Sequence, residues 1–172
     1  MTRRLSLGLA GIAAVLLSTC GGGSSFKPAV MPANVCDLLA QADAQTILPT
    51  AGPGARQINA ETADFWSIAC FWLDSPSSSG KDVGLLLGGA LTTEGARQLD
   101  EALTAGPTPG SAPAMAVSGL GDEAAYIDNP GSLQLLRARV GSYLLELRAQ
   151  DITPDVTEAQ LHPLVAKAIG AL

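Results

Sequence analysis

The sequence predicts an α+β domain, a curved antiparallel sheet of about five strands with about three helices packed on its apolar face. Three observations predict it. Residues 132–150, SLQLLRARVGSYLLELRAQ, alternate in the two-residue period of a strand on both sides of Gly141-Ser142. Residues 67–74 (SIACFWLD) and 82–91 (DVGLLLGGAL) are rich in aliphatic and aromatic residues, and 123–127 forms a shorter run. Stripes of helical period stand between and after these runs, which places helices against a sheet rather than in a separate layer. The chain has 172 residues, enough for one domain. It is 47% hydrophobic and only 4% aromatic, so its core must be built from Leu, Val, Ile and Ala.

At the N-terminus, Arg3 and Arg4 precede the apolar stretch Leu5 to Leu17, the order of a signal segment over residues 1–19. The apolar run falls short of the roughly 18 residues that a spanning helix needs. Leu17-Ser18-Thr19-Cys20 resembles the lipobox of bacterial lipoproteins, with Thr19 in place of the commoner Gly or Ala. That resemblance implies that Cys20 is acylated and becomes the mature N-terminus, so that the protein is exported and held to the membrane by lipid. Residues 20–33 then read as a lipidated flexible tether, and 34–172 as one globular domain. With residues 1–19 removed, 8 basic residues stand against 16 acidic ones, a net charge of −8. This disfavours nucleic acid and electrostatic attachment to anionic lipid, both of which need clustered Lys and Arg. Cys20 taken by lipid leaves Cys36 and Cys70, an even pair that reads as a disulfide in an oxidising compartment. Two lone cysteines lack the spacing of a metal site, and no C-x-x-C is present for redox chemistry.

Asn34 can cap a helix from Val35, and CDLLAQADAQTIL would press Leu38, Leu39 and Ala42 on the sheet up to the stop at Pro49. Residues 55–66 give no clear period. In the strand at 67–74, Ile68, Cys70 and Trp72 share one face, so a Cys36–Cys70 bridge would tie helix to strand from inside. Gly84 and Gly88 lie on one face of the next strand and invite close approach by another element. Gly88-Gly89 lacks the Gly-Lys-Ser/Thr of a phosphate loop. Thr92 or Thr93 can cap a second helix carrying Ala96, Leu99 and Leu103, which ends at Gly106-Pro107. A Pro/Gly-rich loop follows.

In the hairpin, Gly141-Ser142 suits a type II′ turn. This register pairs Val140 with Tyr143, Ala138 with Leu145 and Leu136 with Leu147 on one face, and Arg137 with Glu146 on the other. The last helix shows a capping box in Thr157 and Gln160, and an apolar stripe from Leu161 to Leu172. Pro163 means either that this helix begins near His162 or that it kinks.

Cys36-Asp37-Leu38-Leu39, Cys70-Phe71-Trp72 and Val117-Ser118-Gly119-Leu120-Gly121-Asp122-Glu123-Ala124, together with Cys20, resemble a group of small exported bacterial lipoproteins of actinobacterial envelopes that carry a domain of unknown function. The resemblance covers about residues 34–172. It implies the Cys36–Cys70 disulfide and a PsbP-like or similar helix-backed sheet, and it supplies no catalytic residue.

The expected function is a non-catalytic binding or interaction module of the cell envelope, without cofactor or metal. The alternatives are a carrier or sensor of a small apolar ligand held between sheet and helices, and an enzyme whose groups only the fold brings together. Trp66 is a candidate for an exposed aromatic. Arg137, Arg139 and Arg148 share the outer hairpin face with Leu135 and Leu144. That strip could meet an acidic partner or lipid head groups, or it could be solvated or covered by another part of the chain. The lone His162 reads as a surface or capping residue, and Asp122, Glu123 and Asp128 as a solvated turn rather than a calcium loop.

Overall fold

The computed structural model describes residues 26–74 and 80–172. The expected signal segment, Cys20 and most of the turn at 75–80 lie outside the described residues. Seven strands form one open antiparallel sheet in the order β1-β2-β3-β7-β6-β5-β4. They are β1 (Ala55–Glu61), β2 (Phe65–Leu73), β3 (Asp82–Ala90), β4 (Met115–Val117), β5 (Glu123–Asn129), β6 (Leu133–Val140) and β7 (Tyr143–Gln150). The class is α+β as expected, but the sheet exceeds the expected five strands by its two edges, β1 and β4. An edge strand is held from one side only and needs less apolar patterning. β1 reads ARQINAE and β4 is three residues long.

The hairpin has the expected register, with Val140 opposite Tyr143, Leu136 opposite Leu147 and Arg137 opposite Glu146. Gly141 takes φ +55°, the left-handed value that the first position of a II′ turn demands. Gly121 explains part of the 117–124 motif. Its φ is +55°, and a Cβ there would lie 2.2 Å from the Arg139 carbonyl oxygen.

On one face of the sheet, Ile68, Cys70, Leu85, Leu87, Leu136 and Leu147 are fully buried. They lie under the segment 35–48 and α3 (Glu158–Gly170), whose Leu161, Val165 and Ala168 point inward. The single helix expected after Asn34 is instead a 3-10 turn, Val35–Leu38, followed by a one-turn α1, Gln41–Ala44. Asn34 does cap the first turn, accepting from the Cys36 N–H at 3.2 Å. Leu38 and Leu39 are both buried. Neighbours on a continuous helix lie about 100° apart, and the extended backbone at Leu39 lets both enter the core. Ala42 is exposed and Ala44 takes the buried position. The Cys36–Cys70 disulfide joins this segment to β2.

Helices cover both faces, a correction to the expected one-sided packing. α2 (Thr93–Thr104) lies across the opposite face, on β3, β7, β6 and β5, because it carries the chain from the middle of the sheet to the far edge. Leu99 and Leu103 pack there with Ala90, Ala125 and Leu144. Gly88 admits this approach, since a Cβ would stand 3.1 Å from Leu99 Cδ2. Thr92 caps α2 by accepting from the Gly95 N–H.

Gly95 makes a test of this packing. A Cβ at that position would lie 2.0 Å from the Asp64 carbonyl oxygen, a backbone atom that also accepts from Leu91 N–H. In an open helix Gly→Ala gains about 1 kcal/mol. Here the overlap dominates, and Gly95→Ala is expected to lower stability by about 1–3 kcal/mol. A urea titration of the two proteins checks the sign.

α3 starts at Glu158, with Thr157 N–H donating to Gln160 Oε1 at 3.0 Å. Pro163 therefore sits inside the helix and not at its first position. It forgoes one backbone bond on the solvent side, where Pro163 and Ala159 are both exposed.

Segment 26–33, expected to be part of a free tether, lies on the fold. Ala29 is buried and donates its N–H to the Ala90 carbonyl at 2.8 Å. Val30 N–H donates to the Tyr143 hydroxyl at 2.9 Å, and Ser142 Oγ donates to the Lys27 carbonyl.

Candidate functional site

The three arginines of the outer hairpin face have separate surroundings. Arg137 is 9% exposed. Its Nε donates to Glu146 at 2.5 Å, and its Nη1 donates to the carbonyls of Ala102 and Ala105. It is a structural cation at the end of α2 rather than a surface group. Arg139 is half-buried between Asp100 of α2, at 2.9 Å, and the Gly141 carbonyl. The leucines of that strip, Leu135 and Leu144, are buried. Trp66, a candidate for an exposed aromatic, is instead 2% exposed and meets Tyr143 edge to face at 6.2 Å, beside the buried Ala29.

Arg148, whose side chain is 26% exposed against 30% for Arg139, lines an open groove of about 460 Å³ together with Ala55, Arg56, Gln57, Phe71, Leu73 and Asp82. Its guanidinium carbon stands 4.7 Å from the Phe71 ring centroid, a cation–π stack. Gly84 makes the room, for a Cβ there would lie 2.7 Å from Arg148 Nε. Asp82 meets the guanidinium fork with both oxygens, at 3.2 and 3.3 Å. At the rim, Leu73 is 57% exposed and Arg56 is exposed. The groove thus offers an aromatic–guanidinium platform, an apolar side chain and a free-standing cation beside the outer edge of β1. These groups favour an extended segment with apolar and acidic side chains. Periodicity alone did not find the site, because three of its lining residues, Ala55, Arg56 and Gln57, belong to β1, a strand that periodicity does not show.

Burial pushes the Asp82 carboxyl above the usual carboxylate range, further than Arg148 pulls it down. The folded protein therefore holds the Asp82 proton more tightly than the unfolded chain. This contribution to stability is complete below about pH 3.9, the unfolded value, and is lost as pH rises through the folded value. Asp82→Asn is expected to flatten the decline of stability across that window. Denaturant midpoints taken from acid to neutral pH check it. Apart from Asp82 and Arg148, the groove lining holds no hydroxyl, thiol, imidazole or second carboxylate. His162 pairs with Glu158 at 2.7 Å on the flank of α3, and Asp122 accepts from Gly141 N–H. Among the described residues, no three of His, Cys, Asp and Glu converge as a metal site.

Two further grooves, each of about 390 Å³, are present. One lies at the hairpin tip, beside Lys27, Val30 and Leu172, and the other between Ile47–Thr50 and Ile152–Val156. The described geometry defines a class, a disulfide-bonded α+β domain whose open sheet carries helices on both faces. No family model, curated protein or solved structure matches the chain.

Proposed function

We propose that this chain is an exported lipoprotein, anchored through Cys20 on the extracytoplasmic side of the cell membrane, whose domain is a non-catalytic interaction module for an envelope protein. The groove around Arg148, Phe71 and Leu73 carries the reading. It keeps an apolar side chain, Leu73, and the cation of Arg56 in water on the β1–β2 side of the sheet, which α2 does not cover. The disulfide supports export, since such bonds persist in oxidising compartments. The motif order noted in the sequence agrees with envelope lipoproteins. The carrier reading draws less support, because Leu85, Leu147, Leu161 and Val165 fill the space between sheet and α3.

Photo-crosslinking in intact cells tests the proposal. A photoreactive side chain at Leu73 should capture a discrete envelope protein, and Arg56→Glu should abolish the capture. Equal capture from an exposed position on α3 such as Lys167 would refute the groove as the interface. Labelled fatty acid should enter the wild-type chain and not Cys20→Ser, and an unlabelled wild-type chain would remove the anchor.

A further inference from the structure

Two features at the hairpin-tip end of the sheet have no role in the groove just described. The first is an exposed apolar patch. Val30 is 74% exposed and Leu172 43% exposed, and both border the tip groove together with Val140, Ile169 and Lys27. The second is the docking of the N-terminal segment. The hydrogen bonds from Ala29 to Ala90, from Val30 to Tyr143 and from Ser142 to Lys27 fix where the chain leaves the fold. Burial of Ala29 against Trp66 and Gly89 holds the same point.

Cys20 precedes Phe26 by six positions. Even a fully extended chain covers at most about 3.5 Å per residue, so the point where Cys20 attaches lies within about 20 Å of the docked segment. An acyl chain on Cys20 would therefore keep the tip end within about 20 Å of the bilayer.

From this we infer that the patch around Val30 and Leu172 rests on the lipid interface of the membrane, so that the domain is docked in a fixed orientation. The inference depends on the lipid-anchor reading above. The patch is too small to bind a bilayer by itself, and the acidic domain gains nothing from anionic head groups. The anchor makes the contact intramolecular, and a short tether gives it a high effective concentration. Apolar contact is therefore the source of docking, and it should withstand added salt. The orientation has a consequence for the other site. Tyr143 and Gln150 are seven residues apart on β7, about 23 Å at strand rise. Gln150 pairs with Asp82, so the Arg148–Leu73 groove stands at the membrane-distal end, open to a partner.

Depth-dependent quenching tests the orientation. The full chain, purified from the envelope, is placed in vesicles of phosphatidylethanolamine and phosphatidylglycerol with a spin-labelled lipid. A fluorophore is attached at Lys27→Cys in one sample and at Leu73→Cys in another, both exposed positions that leave the core and the patch side chains Val30 and Leu172 in place. Position 27 should be quenched severalfold more strongly than position 73, with little change in high salt. Val30→Ser/Leu172→Ser, with the fluorophore kept at Lys27→Cys, should lose most of this difference. Intact mass of each sample reports the lipid. A chain carrying diacylglycerol but showing equal quenching at the two positions would overturn the docking and leave the anchor standing. A chain without diacylglycerol would overturn both.

Discussion

Arg137→Met is expected to lower the stability of the domain by about 3–5 kcal/mol, among the largest effects of any single substitution. α2 ends without a basic residue in its last turn. The carbonyls of Ala102 and Ala105 instead receive the Arg137 guanidinium, which reaches them from β6 across the sheet–helix interface. A cation at a helix C-terminus meets the negative end of the dipole, and here it also satisfies carbonyls that have no intrahelical partner. The same guanidinium neutralises Glu146, and the two side chains are only 10% and 15% exposed. Removing the cation leaves the largely buried Glu146 carboxylate without its partner and the carbonyls of Ala102 and Ala105 without their donor. Arg137→Met/Glu146→Leu should recover much of the loss, because a well-packed apolar pair replaces a buried ion pair at little cost. Urea denaturation of the wild type, the single and the double variant measures both steps. A single variant that loses less than about 1 kcal/mol would show a pair that behaves as a surface salt bridge.

The second large effect is expected at the disulfide. Cys36→Ala/Cys70→Ala should cost about 3–4 kcal/mol, the loop-closure entropy of a bridge spanning 34 positions. The bridge has more than a chain-entropy role in this fold. The 3-10 turn is four residues long and α1 is one turn, so neither is stable as an isolated helix. Their order comes from burial of Val35, Leu38 and Leu39 and from the tie to Cys70 at the centre of β2. Hydrogen exchange should therefore rise first in residues 35–48 of the double variant, while the hairpin stays protected. The same denaturant midpoint with and without reductant would contradict a stabilising bridge.

The hairpin was legible because each of its signals agrees with the others. The strand period, Gly141 and the Arg137–Glu146 pairing all select one register, and a slip by one residue would expose Leu136 and Leu147. The caps of α2 and α3 were equally local, since Thr92 and the Thr157–Gln160 pair act within one helical turn. The disulfide could be inferred from the cysteine count and the expectation of export. β1 and β4 could not be read, for an edge strand carries half the pairing and little of the core. The break at Leu39 could not be read either. Local propensity favours a continuous helix there, and only burial of two adjacent leucines opposes it.

The same division holds for the candidate site. Sequence placed Arg137, Arg139 and Arg148 on one face, together with Leu135 and Leu144, because alternation is a local property of the backbone. It could not say what lies over that face. α2 is joined to β3 and β4, yet it crosses β7, β6 and β5, which follow it in the chain. That crossing buries Arg137, pairs Arg139 with Asp100 and stops short of Arg148. The sequence alone determined the strand faces and register of the hairpin and the start of α2, since these depend on neighbours within a few residues. Which arginine holds a helix and which one lines a groove was decided by the tertiary structure, through contacts between segments 32 or more residues apart.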